Sequence, residues 1–175
     1  MNKQTLFITS QSATGVYGYT LEREGVPIFV NSNAVLPDPQ PVAYKNVQTG
    51  KVYSVYHIPS REHPTIVPGL KIKFRIYDEE NESDSVLEAV YGASYQRKIN
   101  AYVNDNLVFK YYPQTEDIFI SPTNELIAFL EDDLTFKHDP CSMNDRRYIL
   151  QINDEYMDIL PLIFHAFISV KLRVL

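Results

Sequence analysis

Hydrophobic patterning divides the chain into two unequal parts. Up to Ile152, short runs of apolar and polar residues alternate between turn signals. From Met157 to Leu175 the sequence MDILPLIFHAFISVKLRVL is almost uninterruptedly apolar. Period-two alternation predicts strands that show one face to a core. Strands are predicted at Leu6–Ile8, Val16–Leu21, Pro27–Val30, Val42–Val47, Lys51–Ile58, Leu70–Tyr77, Val86–Tyr91, Gln96–Val103, Leu107–Tyr112, Ile118–Ile120, Glu125–Leu130, Thr135–His138 and Arg147–Ile152. Three tight hairpins are expected, at Glu22-Arg23-Glu24-Gly25, Gln48-Thr49-Gly50 and Asn104-Asp105-Asn106. Two segments, Val35–Pro41 and Pro59–Gly69, are too rich in proline for a central strand and read as loops.

The terminal stretch has the features of an internal helix. Spanning a bilayer takes about 20 predominantly apolar residues. The clean run here, Ile159 to Val170, is shorter, carries His165 and Ser169, and is followed at once by Lys171 and Arg173. Asn153, Asp154 and Glu155 stand where an N-cap and first-turn acids satisfy open backbone donors. Pro161 falls in the early turns, where its missing N–H costs least. Ile159, Leu160, Ile163, Phe164, Phe167 and Ile168 follow helical spacing, and Leu162 and Ala166 make the opposite side apolar too. A helix hydrophobic all round is buried on all sides.

Composition narrows the class. A chain of 175 residues with 45% hydrophobic content is expected to form one domain, 1–175, with a sizeable core. Thirteen tyrosines and nine phenylalanines favour strands. A net charge of −6 argues against a nucleic-acid binder, and it disfavours strong attraction to an anionic membrane surface. The single cysteine, Cys141, excludes an internal disulfide and fits a reducing compartment. The amino-terminal MNKQTLFITSQ has no apolar secretory core, so a cytoplasmic location is expected. The sequon at Asn81 is then a chance match.

The order of elements predicts a mainly β (α+β) architecture: roughly twelve strands in a closed antiparallel barrel around a central hydrophobic C-terminal helix. Closure removes exposed strand edges, and a hydrophobic helix fills the interior such a barrel leaves. The terminal unit, Arg147–Ile152, then Asn153–Asp158, then Ile159–Ile168, resembles the tubby C-terminal-like superfamily of tubby, the phospholipid scramblases and the LURP-one-related proteins. The hairpin Tyr102–Phe109 is compatible with it. The resemblance is one of pattern over most of the chain and implies a barrel wrapped around its helix. It also implies a binding domain that contacts a phospholipid headgroup or a membrane-associated partner, with no cofactor. Tubby binds phosphoinositides through clustered basic residues, and the nearest counterpart here is Lys71, Lys73 and Arg75, which alternate along one predicted strand. The plainer reading of these three is a solvated strand face.

Other chemistry is sparse. The segment Lys137–Asp145 holds His138, Asp139, Cys141 and Asp145, enough for a Cys–His nucleophile if thiol and imidazole meet, but without the paired ligand spacing of a zinc site. The plainer reading is a polar loop turning at Asp139-Pro140. His165 is expected to be a core histidine hydrogen-bonded to a backbone carbonyl. The acidic run Asp78–Glu82 lacks the spacing of a calcium loop. Phosphate-binding glycine loops, nucleophile elbows and HExxH motifs are absent from the sequence.

Three function classes follow. The first is a non-enzymatic binding or scaffold domain that recognises a lipid headgroup or protein through its proline-rich loops and has no deep polar cleft. The second is a small hydrolase or metal-dependent enzyme centred on His138 and Cys141. The third is an acidic, immunity-type protein that neutralises a basic partner.

Overall fold

The computed structural model describes residues 2–11, 18–32, 43–58, 71–78, 85–91, 97–113, 117–137 and 145–171, with side chains at all of these except 11, 32, 55–58, 71–78 and 91. The structure is mainly β, an antiparallel sheet with one C-terminal helix. The strands are β1 (Lys3–Gln11), β2 (Gly18–Arg23), β3 (Val26–Ser32), β4 (Ala43–Asn46), β5 (Val52–Ile58) and β6 (Lys71–Asp78). They continue with β7 (Ser85–Tyr91), β8 (Arg97–Val103), β9 (Asn106–Tyr112), β10 (Ile118–Ile120), β11 (Leu126–Asp132) and β12 (Arg147–Asn153). A 3-10 segment, Asp154–Ile159, leads into α1, Leu160–Lys171.

Every strand pairs antiparallel with the one before it, and β1 pairs with β12 as well as with β2. This meander sorts the connections to two ends. The turns after β2, β4, β8 and β10 share one end with Asn2, whose carbonyl accepts the Asp154 N–H at 3.1 Å. Lys171, the last residue of α1, lies at the other end, 3.9 Å from Asp117 in the β9–β10 connection. The helix therefore runs from one end of the sheet to the other, alongside its strands.

Turn chemistry follows the sequence closely. Glu24 and Gly25 have φ of 51° and 77°, the two left-handed residues that a two-residue hairpin with matched twist requires. Asn104 and Asp105, at 49° and 63°, repeat the device between β8 and β9. In the β4–β5 turn the Asn46 side-chain oxygen accepts the N–H groups of Gln48 and Thr49.

Inward positions alternate as the patterns predict. Leu6 and Ile8 on β1, Leu21 on β2, Leu87 and Ala89 on β7, Ile99 and Ala101 on β8, and Leu150 and Ile152 on β12 are fully buried. The helix they face is buried on every side: Leu160 and all of Leu162 to Val170 are enclosed. A helix suits such a place because its backbone hydrogen bonds are made within the segment. Each large apolar side chain enclosed contributes about 1.5–3 kcal/mol relative to exposure. Aromatic rings fix the contacts. Phe164 stacks on Phe29 (5.7 Å) and meets Tyr44 edge-on (5.5 Å), while Phe167 meets Tyr19 and Tyr148 edge-on (5.4 and 5.2 Å).

Pro161 explains why the helical region starts as 3-10. It has no N–H to give the Met157 carbonyl, and the Leu160 N–H takes that carbonyl instead. Asn153 does not cap with its side chain, contrary to the sequence reading. Its amide is drawn back to the sheet, where it donates to the Leu126 carbonyl at 2.7 Å. The predicted strand at Thr135–His138 is also corrected. Thr135 lies in a turn, its N–H and O–H both donating to Asp133 Oδ1 at 2.9 and 2.6 Å, and such local bonding competes with a ladder. His138 lies outside the described residues.

Candidate functional site

Lys71, Lys73 and Arg75 occupy alternate positions of β6, opposite Val90, Glu88 and Val86 of β7. Of these partners Glu88, opposite Lys73, is buried and accepts a hydrogen bond from Asn100 Nδ2 at 3.4 Å. The side chains of Lys71, Lys73 and Arg75 lie outside the described residues. So do His138 and Cys141, residues 79–82 of the acidic run, and both proline-rich loops. Among the described residues, no three His, Cys, Asp or Glu side chains come together to hold a metal ion. Nor does any described helix have the length and apolarity to cross a membrane.

His165 departs from expectation. It is fully buried, and neither ring nitrogen has a hydrogen-bond partner. The expected bond to a backbone carbonyl is not made, and the Tyr44 ring lies 5.2 Å away, tilted by 58°. The Tyr44 hydroxyl is turned to the Pro161 carbonyl, at 3.0 Å. Burial alone pulls the imidazole pKa down to about 3, so the ring is neutral. One turn on, Ser169 Oγ is also buried without a partner.

A second polar cluster sits at the end where α1 finishes its run. The Arg147 guanidinium lies between the rings of Phe7 and Phe136, 4.9 Å from each. Its Nε and Nη2 both donate to Asp133 Oδ2 at 2.7 Å. Hydrogen bonds from Thr135 and Arg147 hold the Asp133 carboxyl below the usual carboxylate range, against the opposing effect of its desolvation. All of its groups are engaged with each other, which marks it as a brace between β1, β12 and the β11–β12 connection.

A concave feature lies at the opposite end, where the chain passes from β12 into α1. It encloses about 500 Å³ between the β2–β3 hairpin, the β4–β5 turn and the 3-10 segment. Its apolar lining comes from Ile28, Phe29, Met157, Leu160 and Pro161, with Val26 at 56% exposure among the lining residues. The exposed Val47 is beside it, its N–H bonded to the Ile28 carbonyl at 2.8 Å. Arg23, Glu24, Asn46, Gln48 and Asp158 complete the lining. Arg23 Nε is enclosed and has no acceptor. Pro161 and the 3-10 segment form one side of this recess, and two hairpins form the other.

Sequence reasoning had no access to this cleft. In the sequence Arg23 and Glu24 belong to a hairpin turn, and Asp158 stands more than 130 residues later, just before the helix. They meet only because the segment after β12 folds back beside the β2–β3 hairpin. Comparison of the chain with protein-family models, curated proteins and solved structures finds no match to any of them.

Proposed function

We propose that this chain is a non-enzymatic, cytoplasmic binding domain whose ligand is held in the cleft beside the start of α1. The observation that carries the reading is that cleft: a recess of about 500 Å³ lined by apolar residues and a few charged ones. Binding sites for small molecules fall in this size range. In this reading the sheet is a closed, tubby-like barrel. Support comes from the pairing of β1 with both β2 and β12 and from the all-round burial of α1. The helix then serves as a rigid filling, and the hairpins around its start carry the recognition.

The tubby-like resemblance adds a second candidate, the alternate β6 positions Lys71, Lys73 and Arg75, as the place for a phospholipid headgroup or a membrane-associated partner. The cleft is the primary site because its side chains are in place around a cavity.

The test is amide chemical-shift mapping of the full chain with a panel of small polar metabolites, including amino acids and glycerophosphoinositol. Saturable shifts centred on Arg23, Ile28, Asn46 and Met157 are expected for at least one compound, without turnover. Shifts confined to other surfaces, or none at all, would overturn the reading.

A further inference from the structure

We infer that the end of the molecule where α1 begins is a docking face for a basic polypeptide segment with an apolar anchor residue. This goes beyond a ligand held in the cleft. It concerns the face around the cleft and stands whether or not a small molecule enters it. Among the described residues, the exposed large apolar side chains are Val26, Val47, Leu126 and Leu134. Three of them sit at this one end, on the β2–β3 hairpin, the β4–β5 turn and the start of β11. The chain leading into α1 connects them. Asn153 is bonded to the Leu126 carbonyl, and Met157, four residues on, lines the recess together with Val26. An exposed apolar residue standing alone is ordinary, but three grouped about one recess with charge around them have the composition of an interface.

The charge around the patch selects the partner. Glu24, Asp105, Glu125, Asp154, Glu155 and Asp158 are all exposed, on the turns of this end and on the 3-10 segment. None of the six takes part in an ion pair among the described residues. The exposed cations beside them are Lys3, which lies over the Phe129 ring, and Lys45. Counting the half-buried Glu22, Arg23 and Lys51 as well leaves the balance negative. Among the described residues, no three acids converge to hold a metal ion, so these carboxylates suit separate cations. Lysine and arginine spaced along a polypeptide supply them, and opposite charge also steers the encounter. Nucleic acid and anionic lipid carry the wrong sign. A second copy of the same face would set carboxylate against carboxylate. The recess, with Ile28, Phe29, Met157 and Leu160 in its lining, offers the pocket in which an apolar anchor is held at the centre of such a face.

The test is selection of a phage library of short random peptides on the immobilised full chain, followed by fluorescence anisotropy with the enriched sequences as synthetic peptides. Enrichment of sequences with Lys or Arg on both sides of an apolar residue is expected. Their binding should be saturable and weaken as salt is added. It should fall at least about tenfold in Val26→Ser, and by a similar factor when Glu125→Gln and Asp158→Asn are combined. Leu134→Ser, at the other end of the molecule, should leave it unchanged. All four substituted side chains are exposed, and an unchanged melting temperature verifies that each variant is folded. Enriched peptides that are neutral or acidic, or that bind Val26→Ser as well as the parent, overturn the inference. So does a library from which nothing is enriched. A dimer of the chain alone in sedimentation that Val26→Ser dissolves would place a second copy on the face, and this too overturns it.

Discussion

Tyr44 on β4 donates its phenolic hydrogen to the carbonyl oxygen of Pro161 in the first turn of α1, at 3.0 Å. The same ring lies against Phe164 and His165, so one side chain ties the wall to the helix by a polar and an apolar contact. Pro161 is where the helical hydrogen-bond pattern changes, and Tyr44 holds the chain at that change.

Tyr44→Phe keeps the ring and removes the hydroxyl. It should cost about 0.5–1.5 kcal/mol, read as a lower urea midpoint with unchanged slope. A loss several times larger would mean that the hydroxyl supports more of the helix start than this one bond.

Phe164→Ala empties the space between Phe29 and Tyr44. A destabilisation of about 3–5 kcal/mol is expected by chemical denaturation. Leu134, 94% exposed, is the control, and Leu134→Ala should stay within about 0.5 kcal/mol of the parent. Equal effects at the two positions would contradict an enclosed helix.

His165 makes stability depend on pH. In the folded chain burial lowers its pKa to about 3, whereas an unfolded imidazole takes its proton near 6.5. Between these values the unfolded state binds more protons. The contribution of neutral His165 is therefore complete above about pH 6.5 and is lost as pH falls toward 3, by up to about 1.4 kcal/mol per pH unit. The hydrogen-bonded Asp133 carboxyl loses its stabilisation in the same direction. The difference between the parent and His165→Leu isolates the histidine. The variant should lose distinctly less stability between pH 7 and pH 4.5 in urea titrations, and parallel losses would show that the ring is not buried.

Arg147→Lys keeps a positive charge but loses the planar group that lies between Phe7 and Phe136 and donates twice to Asp133. A melting temperature about 2–4 °C lower is expected by calorimetry. No change would mean that charge alone, and not planarity, holds the brace.

Much of this fold was legible in the chain because its signals are local. Alternation placed the strands, Glu24-Gly25 and Asn104-Asp105 marked their hairpins, and the apolar run after Asp158 announced a buried helix. The failures share a cause: a polar side chain chose a partner far along the chain, or one beside it. Asn153 sits where a cap belongs but donates to Leu126 on a neighbouring strand. Thr135 has strand propensity but is held by Asp133 two residues earlier. His165 has the composition of a hydrogen-bonded core histidine but is buried beside Tyr44 with both nitrogens unpartnered. The cleft joins Arg23 to Asp158, and no pattern of spacing carries that proximity.

The pairing of β1 with β12 also sets a schedule. Lys3 lies opposite Asn153, so the first strand is made long before its second neighbour exists. At about 5–20 residues per second, a ribosome takes roughly 10–30 seconds to supply that neighbour, and longer to supply the helix. During this interval β1 can be paired on one side only, and the inner faces of ten or more strands have nothing to enclose. Among the described elements, α1 comes after every strand whose buried face it meets. Survival of the nascent chain through that wait, with a hydrophobic face uncovered, is a demand that the finished molecule no longer displays.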